Sequence, residues 1–534
     1  MRRFALTVAL LFLVLLPAGP AFGARVVRHR ARRHHVVHHR RSVHHRRRRR
    51  RRVSHPATAT APISALLLAD IHFDPLRDPA KAPLLDALPV SRWAEILSSA
   101  PTPNAQNDYA EINKLCPIKP LVDPDQKLWQ SALAAIHKQA IASHVRFAVL
   151  AGDLTGHQYD CRYKLLFPKA THTQYLAWVK KSFDYTLSTL RDALPGIPVY
   201  VAMGNNDSGC GDNKLSPHDD DFLAATAPEV AEPLPATDQP HALRDVPRGF
   251  YGANLPAPIA HTRILVLDDI PQMMSYKTCS NQTDATAQDA QLAWLAAQLK
   301  SVRAQHQQAW VLGHVPPGVN LYSTYNLTPE FCAKKTSPVR FLSSDRMADL
   351  LGANSDVVRL ALFGHSHTDE LRLLRPEDAS AKQTAGVPVK ILPSISPVFA
   401  ELPSFTVATI DPRTATMLDY SVIMASNATG VDATWAPSYT YSKLYDQRAF
   451  DSAALSDLIA GFQSDPGVDH VESSFYIREY RQYFFDDNSV PIQANWHGYA
   501  CGMDHISAAS FTECACSDSP DSSISVPVDR GSPK

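Results

Sequence analysis

The first 55 residues contain no lysine, aspartate or glutamate, yet they hold 16 arginines. No cysteine precedes Cys116, which excludes an early thiol as a lipid anchor. The apolar run Phe4–Leu16 falls short of the ~20 residues a membrane-spanning helix needs, and no other stretch is a transmembrane candidate. No fixed-period repeat is present, which argues against a solenoid or propeller. What remains is a chain of 534 residues with ordinary globular proportions, 45% hydrophobic and 20% charged, long enough to bury a large core. The net charge of +1 hides an asymmetry: with +16 at the front, residues 56–534 carry −15.

The opening stretch reads as a secretory signal over residues 1–23: Arg2 and Arg3, an apolar core, then small residues suited to cleavage. An exported protein, extracellular or periplasmic, is expected. Residues 24–62 form an Arg/His-rich tract and linker, expected to be disordered because like charges repel and little apolar surface is available to bury. Residues 24–55 are expected to bind polyanions or anionic membrane surfaces non-specifically; the plain alternative is a solvated linker. Eight cysteines, an even number, suit disulfides in an oxidising compartment. Their positions suggest pairing Cys161 with Cys210, and Cys501 with Cys514 or Cys516.

From Ile63 onward, apolar strand-like runs alternate with helical patterns. ISALLLAD, RFAVLAGD, IPVYVAMGN, RILVLDD, AWVLGH and VVRLALFGHSH read as strands, and 387–393, 404–410 and 417–423 close the series. Between them, residues such as Leu128, Trp129, Leu133, Ile136, Ala140 and Ile141 recur at helical spacing, and further helices fall near 171–194, 286–304 and 343–352. This alternation predicts an α/β core over 63–430. Residues 431–534, aromatic-rich and helical in pattern with three cysteines, are expected to form a small C-terminal subdomain and tail.

The loops after five of the strands carry the chemistry. They supply Asp70 and His72, Asp153 and His157, Asn205, His314, and His365 with His367. Strand carboxyl ends are where open α/β sheets place ligands, and residues i and i+2 there point to one side. Each short pattern alone is a common turn; five on successive strand ends are hard to attribute to chance. Carboxylate, imidazole and amide oxygen suit divalent ions, with zinc first and manganese or iron(II) also compatible. One carboxylate can bridge two such ions about 3.5–4 Å apart, which then acidify water to hydroxide and clamp a phosphoryl group.

The series D-x-H, G-D, G-N, G-H, G-H-x-H resembles the calcineurin-like metallophosphoesterase family. DIHFDP, the histidine four residues after Asp153, HVPPG and GFYGANLP resemble its acid sphingomyelinase branch, as does the stretch from Tyr441 to Pro466. The resemblance implies an α/β fold, a four-layer αββα sandwich with a small, mostly helical C-terminal subdomain. It also implies Asp70, His72, Asp153 and His367 around one ion and Asp153, Asn205, His314 and His365 around the other. The implied activity is a metal-activated hydroxide attacking phosphorus.

Two departures stand out. The family's third motif carries a proton-donating histidine after G-N, where this chain has Asn206. An amide can donate a hydrogen bond to a phosphoryl oxygen but has no proton to transfer, and general acid catalysis is typically worth about 10²–10⁴-fold. His157 is therefore the expected donor. The alternative is a leaving group that departs unprotonated, as from a phosphoanhydride: fungal vacuolar endopolyphosphatases are similar in carrying G-N-N-D, and nucleotide phosphohydrolysis belongs with them. The other departure is that residues 24–62 contain no cysteine, unlike the saposin-like module of acid sphingomyelinase itself. The expectation is a secreted, two-metal phosphodiesterase acting on a phosphodiester or, failing that, a phosphoanhydride. A non-catalytic exported polyanion- or metal-binding protein is the reading outside enzymes. Oligomeric state is not legible.

Overall fold

The computed structural model describes residues 61–118, 122–216, 220–259, 261–376, 386–464 and 492–517; the expected signal, the Arg/His tract and the tail after 517 lie outside them. The strands are β1 (Ile63–Leu68), β2 (Val145–Ala151), β3 (Val199–Ala202), β4 (Phe250–Asn254), β5 (Thr262–Leu267) and β6 (Gln308–Leu312). They continue as β7 (Val358–Phe363), β8 (Glu370–Leu374), β9 (Val387–Ile391), β10 (Ser404–Asp411), β11 (Thr416–Ala425) and β12 (Trp435–Thr440).

They form two six-stranded sheets, ordered β12-β11-β10-β1-β2-β3 and β4-β5-β6-β7-β9-β8. β1, β2 and β3 run parallel in the first, and β5, β6, β7 and β9 run parallel in the second. Parallel strands buried on both faces need continuous apolar sequence, which is what LLL, AVLA and LALF supply. The sheets meet face to face. Phe147 of β2 lies 5.7 Å from Trp310 of β6, edge to face, and Trp310 Nε1 donates to Ala415 O at 2.8 Å.

Helices cover the outer faces and complete a four-layer α/β sandwich. Helix Gln126–Ala142 starts where the Asp125 carboxylate accepts from Lys127 and Leu128 N–H, and it buries Leu128, Trp129, Ala132, Ile136 and Ala140. Ile141 stays 61% exposed despite its place in the pattern. Helix His172–Ala193 opens with a reciprocal cap between Thr171 and Gln174. On the other side, helix Asp289–Ala304 packs Leu292, Leu295, Leu299 and Val302 against β5 and β6. Each fully buried leucine of this kind contributes about 1.5–3 kcal/mol.

Residues after 430 begin with a strand. β12 pairs antiparallel with β11, and Pro437 is tolerated because β12 is an edge. Helices Ser452–Gln463, Ile492–Cys501 and Ala508–Ser517 then pack on one another, the first also on β8 and β9. None of the described helices is long and apolar enough to cross a membrane.

The four disulfides are Cys116–Cys161, Cys210–Cys279, Cys332–Cys516 and Cys501–Cys514. The expected Cys161–Cys210 pair is therefore wrong. The two motifs do converge, and their chains stay in contact beyond them, with Gln158 N–H donating to Asp212 Oδ2 at 2.8 Å, but the two thiols face different partners. Cys161 turns on helix Tyr159–Leu166 toward the end of helix Ala105–Leu115. Cys210 faces the turn at Cys279 because residues 213–215 pair with Lys277.

Candidate metal centre

The ends of β1, β2, β3, β6 and β7 point to one place, and the loops after them leave the strands abruptly. Asp70, His72, Asp153, His365 and His367 all have left-handed backbone, with φ between 48° and 69°. Such φ values are uncommon outside glycine and cost energy that a functional site must justify. Gly204 lets the third loop press onto the second: a Cβ there would lie 2.1 Å from Asp153 Oδ1. Asp207 locks the two loops by accepting from Gly204, Leu154 and Thr155 N–H at 2.9–3.0 Å.

Asp153 Oδ2 stands 3.3 Å from His72 Nε2 and 3.2 Å from His314 Nε2. On one side, His72 Nε2 is 3.1 Å from His367 Nε2, and Asp70 Oδ1 lies 3.9 Å and 3.6 Å from these two nitrogens. On the other, His314 Nε2 lies 3.0 Å from Asn205 Oδ1, and the His365 ring is 5.1 Å from the His314 ring. Asp153, His314 and His365 offer donor atoms within 4.8 Å of one another, as do Asp70, His72 and Asp153, and His72, His157 and His367. All seven residues expected as ligands are thus brought together.

The donor set fits divalent cations. His314 Nδ1 donates to Ala151 O at 2.7 Å and His72 Nδ1 faces Thr155 O at 3.2 Å, so backbone carbonyls fix both rings with Nε2 turned inward. Burial presses His72 down to about 4 and His365 to about 3, with His367 well below its ordinary value, leaving neutral rings with lone pairs to offer. His314 goes the other way, to about 10, because Asp153, Asp70 and Asp269 outweigh its burial. Asp269 also accepts the His314 backbone N–H at 3.0 Å, holding that loop in place. A further group, His497, Cys501 and Cys514, is no metal site, because the two cysteines are bonded to each other.

His157 stacks on His72, ring centroids 3.9 Å apart and planes 16° from parallel. Its partner, Asp123, carries no sequence signal: it sits in an irregular stretch before helix Gln126–Ala142. Burial opposes charge on His157, but Asp123 more than offsets it and raises the imidazole to about 9. Asn206 faces the centre from the third loop. Its backbone N–H donates to Asp153 Oδ1 and its Nδ2 to Asp153 Oδ2, both at 2.8 Å. Its Oδ1 is buried with no hydrogen-bond partner among the described residues.

A cavity of about 370 Å³ opens over these residues. Glu401 lines it, buried, accepting from Phe399 N–H at 3.0 Å, and burial raises its carboxyl to about 8. Neither Glu401 nor the rings of Tyr322 and Tyr499, which also line the cavity, belong to any motif spacing.

A model of the calcineurin-like phosphoesterase family matches residues 64–369. Sphingomyelinase phosphodiesterase D of Dictyostelium discoideum is 24% identical over 318 residues, 57% of this chain and 62% of that protein. A cyclic GMP-AMP phosphodiesterase of Bos taurus is 24% identical over 342 residues, 61% of this chain and 69% of the relative. Acid sphingomyelinase-like phosphodiesterase 3b of Homo sapiens is 24% identical over 464 residues, covering 83% and 86%. The chain thus spans less than two thirds of the first of these relatives and most of the last.

Proposed function

The chain belongs to the calcineurin-like phosphoesterase family, in its acid sphingomyelinase-like branch, and on that premise we propose that it is a secreted phosphodiesterase working with two divalent cations. It is a metal-dependent phosphoesterase; the two-cation centre, the export and the choice of diester are the proposal. The observation that carries it is the position of Asp153 Oδ2, about midway between His72 Nε2 and His314 Nε2 at 3.3 Å and 3.2 Å. A carboxylate oxygen shared by two imidazole clusters is the arrangement a bridged pair requires.

Asp70, His72, Asp153 and His367 would hold one cation, and Asp153, Asn205, His314 and His365 the other, zinc before manganese or iron. When bound, the cations supply Lewis acidity toward phosphoryl oxygens and acidify water. The protein's own residues do the rest. His157, kept protonated by Asp123, donates its proton to the departing alkoxide. Asn206 steadies Asp153 through two hydrogen bonds and would offer its second amide hydrogen to a phosphoryl oxygen. Export is supported by the N-terminal signal pattern and by four disulfides, which suit an oxidising compartment.

A second reading, phosphoanhydride hydrolysis, is favoured by one feature: Asn206 replaces a proton donor that an acidic leaving group would not need. Metal analysis of the pure protein, coupled to assays on sphingomyelin, a bis-aryl phosphate, ATP and long-chain polyphosphate, separates the two. The proposal expects two metal equivalents and preferential diester cleavage. A preference for ATP or polyphosphate would replace it with the second reading. A metal-free protein whose cellular activity survives Asp153→Asn but not deletion of residues 24–55 would replace both with a polyanion-binding role.

A further inference from the structure

The cavity over the metal centre has a side built from a different part of the chain. Four Tyr and Phe rings line the cavity beside the imidazoles of the centre: Tyr322, Phe341, Phe399 and Tyr499. Tyr499 comes from helix Ile492–Cys501, more than a hundred residues after the last expected ligand, and stacks on Tyr325 at 5.9 Å with 16° between planes. That approach requires Gly498, because a Cβ there would fall 1.5 Å from the Tyr325 hydroxyl. Tyr322 and Tyr325 share helix Leu321–Leu327, so the two tyrosines of the wall belong to one packed unit.

Two crosslinks hold this unit. Cys332–Cys516 ties the segment following Tyr322 to the last described helix, and Cys501–Cys514, two residues from Tyr499, joins the last two helices. Leu373 N–H of β8 donates to Met503 O at 2.7 Å, which docks the same segment on the second sheet. Strand ends fix the metal centre, whereas crosslinks and ring stacking fix the wall facing it.

The charges of the cavity restrict what the wall can receive. Among the described residues lining it there is no Lys or Arg; Glu370 is paired with Arg372, burial holds Glu401 toward its neutral form, and the one cationic side chain is the His157 imidazole at the centre itself. The nearby Arg372 is buried and already committed to Glu370 at 3.0 Å and to Pro317 O at 2.7 Å. Beyond the reach of the metal centre and His157, each additional phosphate of a polyanionic chain would meet no Lys or Arg, and burying an unpaired charge is costly. Aromatic faces instead reward an apolar or planar group, and Tyr322, 52% exposed, has room to close on one.

Resting on the phosphodiesterase reading above, we infer that this ring wall is the subsite for the organic group esterified to the phosphate, that it takes an uncharged planar or apolar group, and that Tyr322 and Tyr499 set the selectivity. The same wall, which carries no Lys or Arg, disfavours polyphosphate and other extended polyanions.

The test compares phenyl p-nitrophenyl phosphate with methyl p-nitrophenyl phosphate on metal-loaded full-length protein. Both release the same leaving group, so their kcat/KM ratio reads the subsite. The native protein should prefer the phenyl ester, and Tyr322→Ala and Tyr499→Ala should each cut that preference by roughly 2–10-fold, mainly through KM, the scale of a lost ring contact. Tyr499→Phe should retain the preference, because the ring remains. Joint Cys332→Ser and Cys516→Ser should lower it with metal stoichiometry unchanged, which separates a loosened wall from a collapsed fold. A preference that survives both alanine variants, or variants that lower the two substrates by one common factor, would overturn the subsite. A metal-loaded native protein that cleaves neither diester would instead overturn the phosphodiesterase reading and the subsite with it.

Discussion

Asp123 grips His157 twice: its Oδ1 lies 2.9 Å from the ring Nδ1, and its Oδ2 accepts the backbone N–H at 2.7 Å. The pair fixes both where the imidazole sits and which nitrogen faces the centre, since Nδ1 is spent on the carboxylate. An orienting carboxylate of this kind sets tautomer and basicity together.

Replacing Asp123 with asparagine tests whether that grip serves proton transfer. The amide keeps an acceptor for the backbone N–H but removes the charge that holds the imidazole protonated. Turnover of a dialkyl phosphate should fall by ~10²-fold, the lower end of what a general acid contributes, while a p-nitrophenyl diester should change only a few-fold. Equal losses on both substrates would mean that the dyad only supports the fold.

The place of Asp153 between two imidazole clusters predicts the outcome of Asp153→Asn. An amide oxygen carries no charge to share, so both sides weaken at once. Metal content by elemental analysis should drop on both sides, and diester hydrolysis should fall by more than the ~10–100-fold typical of outer partners. His314→Ala, which touches one side only, should leave about one equivalent bound. If Asp153→Asn retained two equivalents and its rate, a bridging role would be untenable.

These expectations were open to sequence reading because each ligand lies two to four residues after a buried parallel strand, so position along the chain stands in for position in space. β1, β2, β3, β6 and β7 were recognisable from their apolar runs. β8 was not: Glu370 and Arg372 give it the look of a polar loop, yet they pair with each other at 3.0 Å and lie buried. Asp123, Glu401 and Tyr499 reach the site from irregular or distant segments, where no spacing rule applies. Of the two cysteine pairings expected from position, Cys501 with Cys514 holds, whereas Cys161 with Cys210 fails for a related reason. The two loops stay in contact as far as Asp160 and Gly211, yet Cys161 bonds Cys116 and Cys210 bonds Cys279, so nearness of segments does not by itself pair thiols.

Glu401 offers a test by pH. Burial raises its carboxyl from an ordinary 4.5 to about 8, so the folded protein keeps a proton that the unfolded chain gives up. Below pH 4.5 both states are protonated and the group costs nothing. Between 4.5 and 8 the unfolded state alone ionises, so stability falls as pH rises, by up to ~1.4 kcal/mol per pH unit, and levels off above 8. Glu401→Gln keeps an acceptor for Phe399 N–H without this penalty. Thermal melts should show the variant more stable than the parent at pH 8 and indistinguishable from it near pH 4.5. A difference independent of pH would assign Glu401 a packing role alone.

Asn206→His bears most directly on the reaction. The asparagine now gives its Nδ2 to Asp153 Oδ2 and its backbone N–H to Asp153 Oδ1, so the third loop is tied to the bridging carboxylate through both. A histidine keeps the backbone bond, gives up the amide bond, and places a titratable ring where only an amide stood. Losing one hydrogen bond to a charged group costs ~1.5–3 kcal/mol of local stability, which should appear as weaker metal retention. Against that loss, a second proton source should raise turnover of dialkyl phosphates, whose alkoxides depart poorly, by ~10-fold or more once metal is saturating. Aryl esters, which need no such help, should gain nothing. Measured at saturating metal, the ratio of the two rates isolates proton transfer from metal binding. If the ratio does not move, the position occupied by Asn206 does not face the leaving group, and the absence of a histidine there says nothing about which phosphorus bond the protein cleaves.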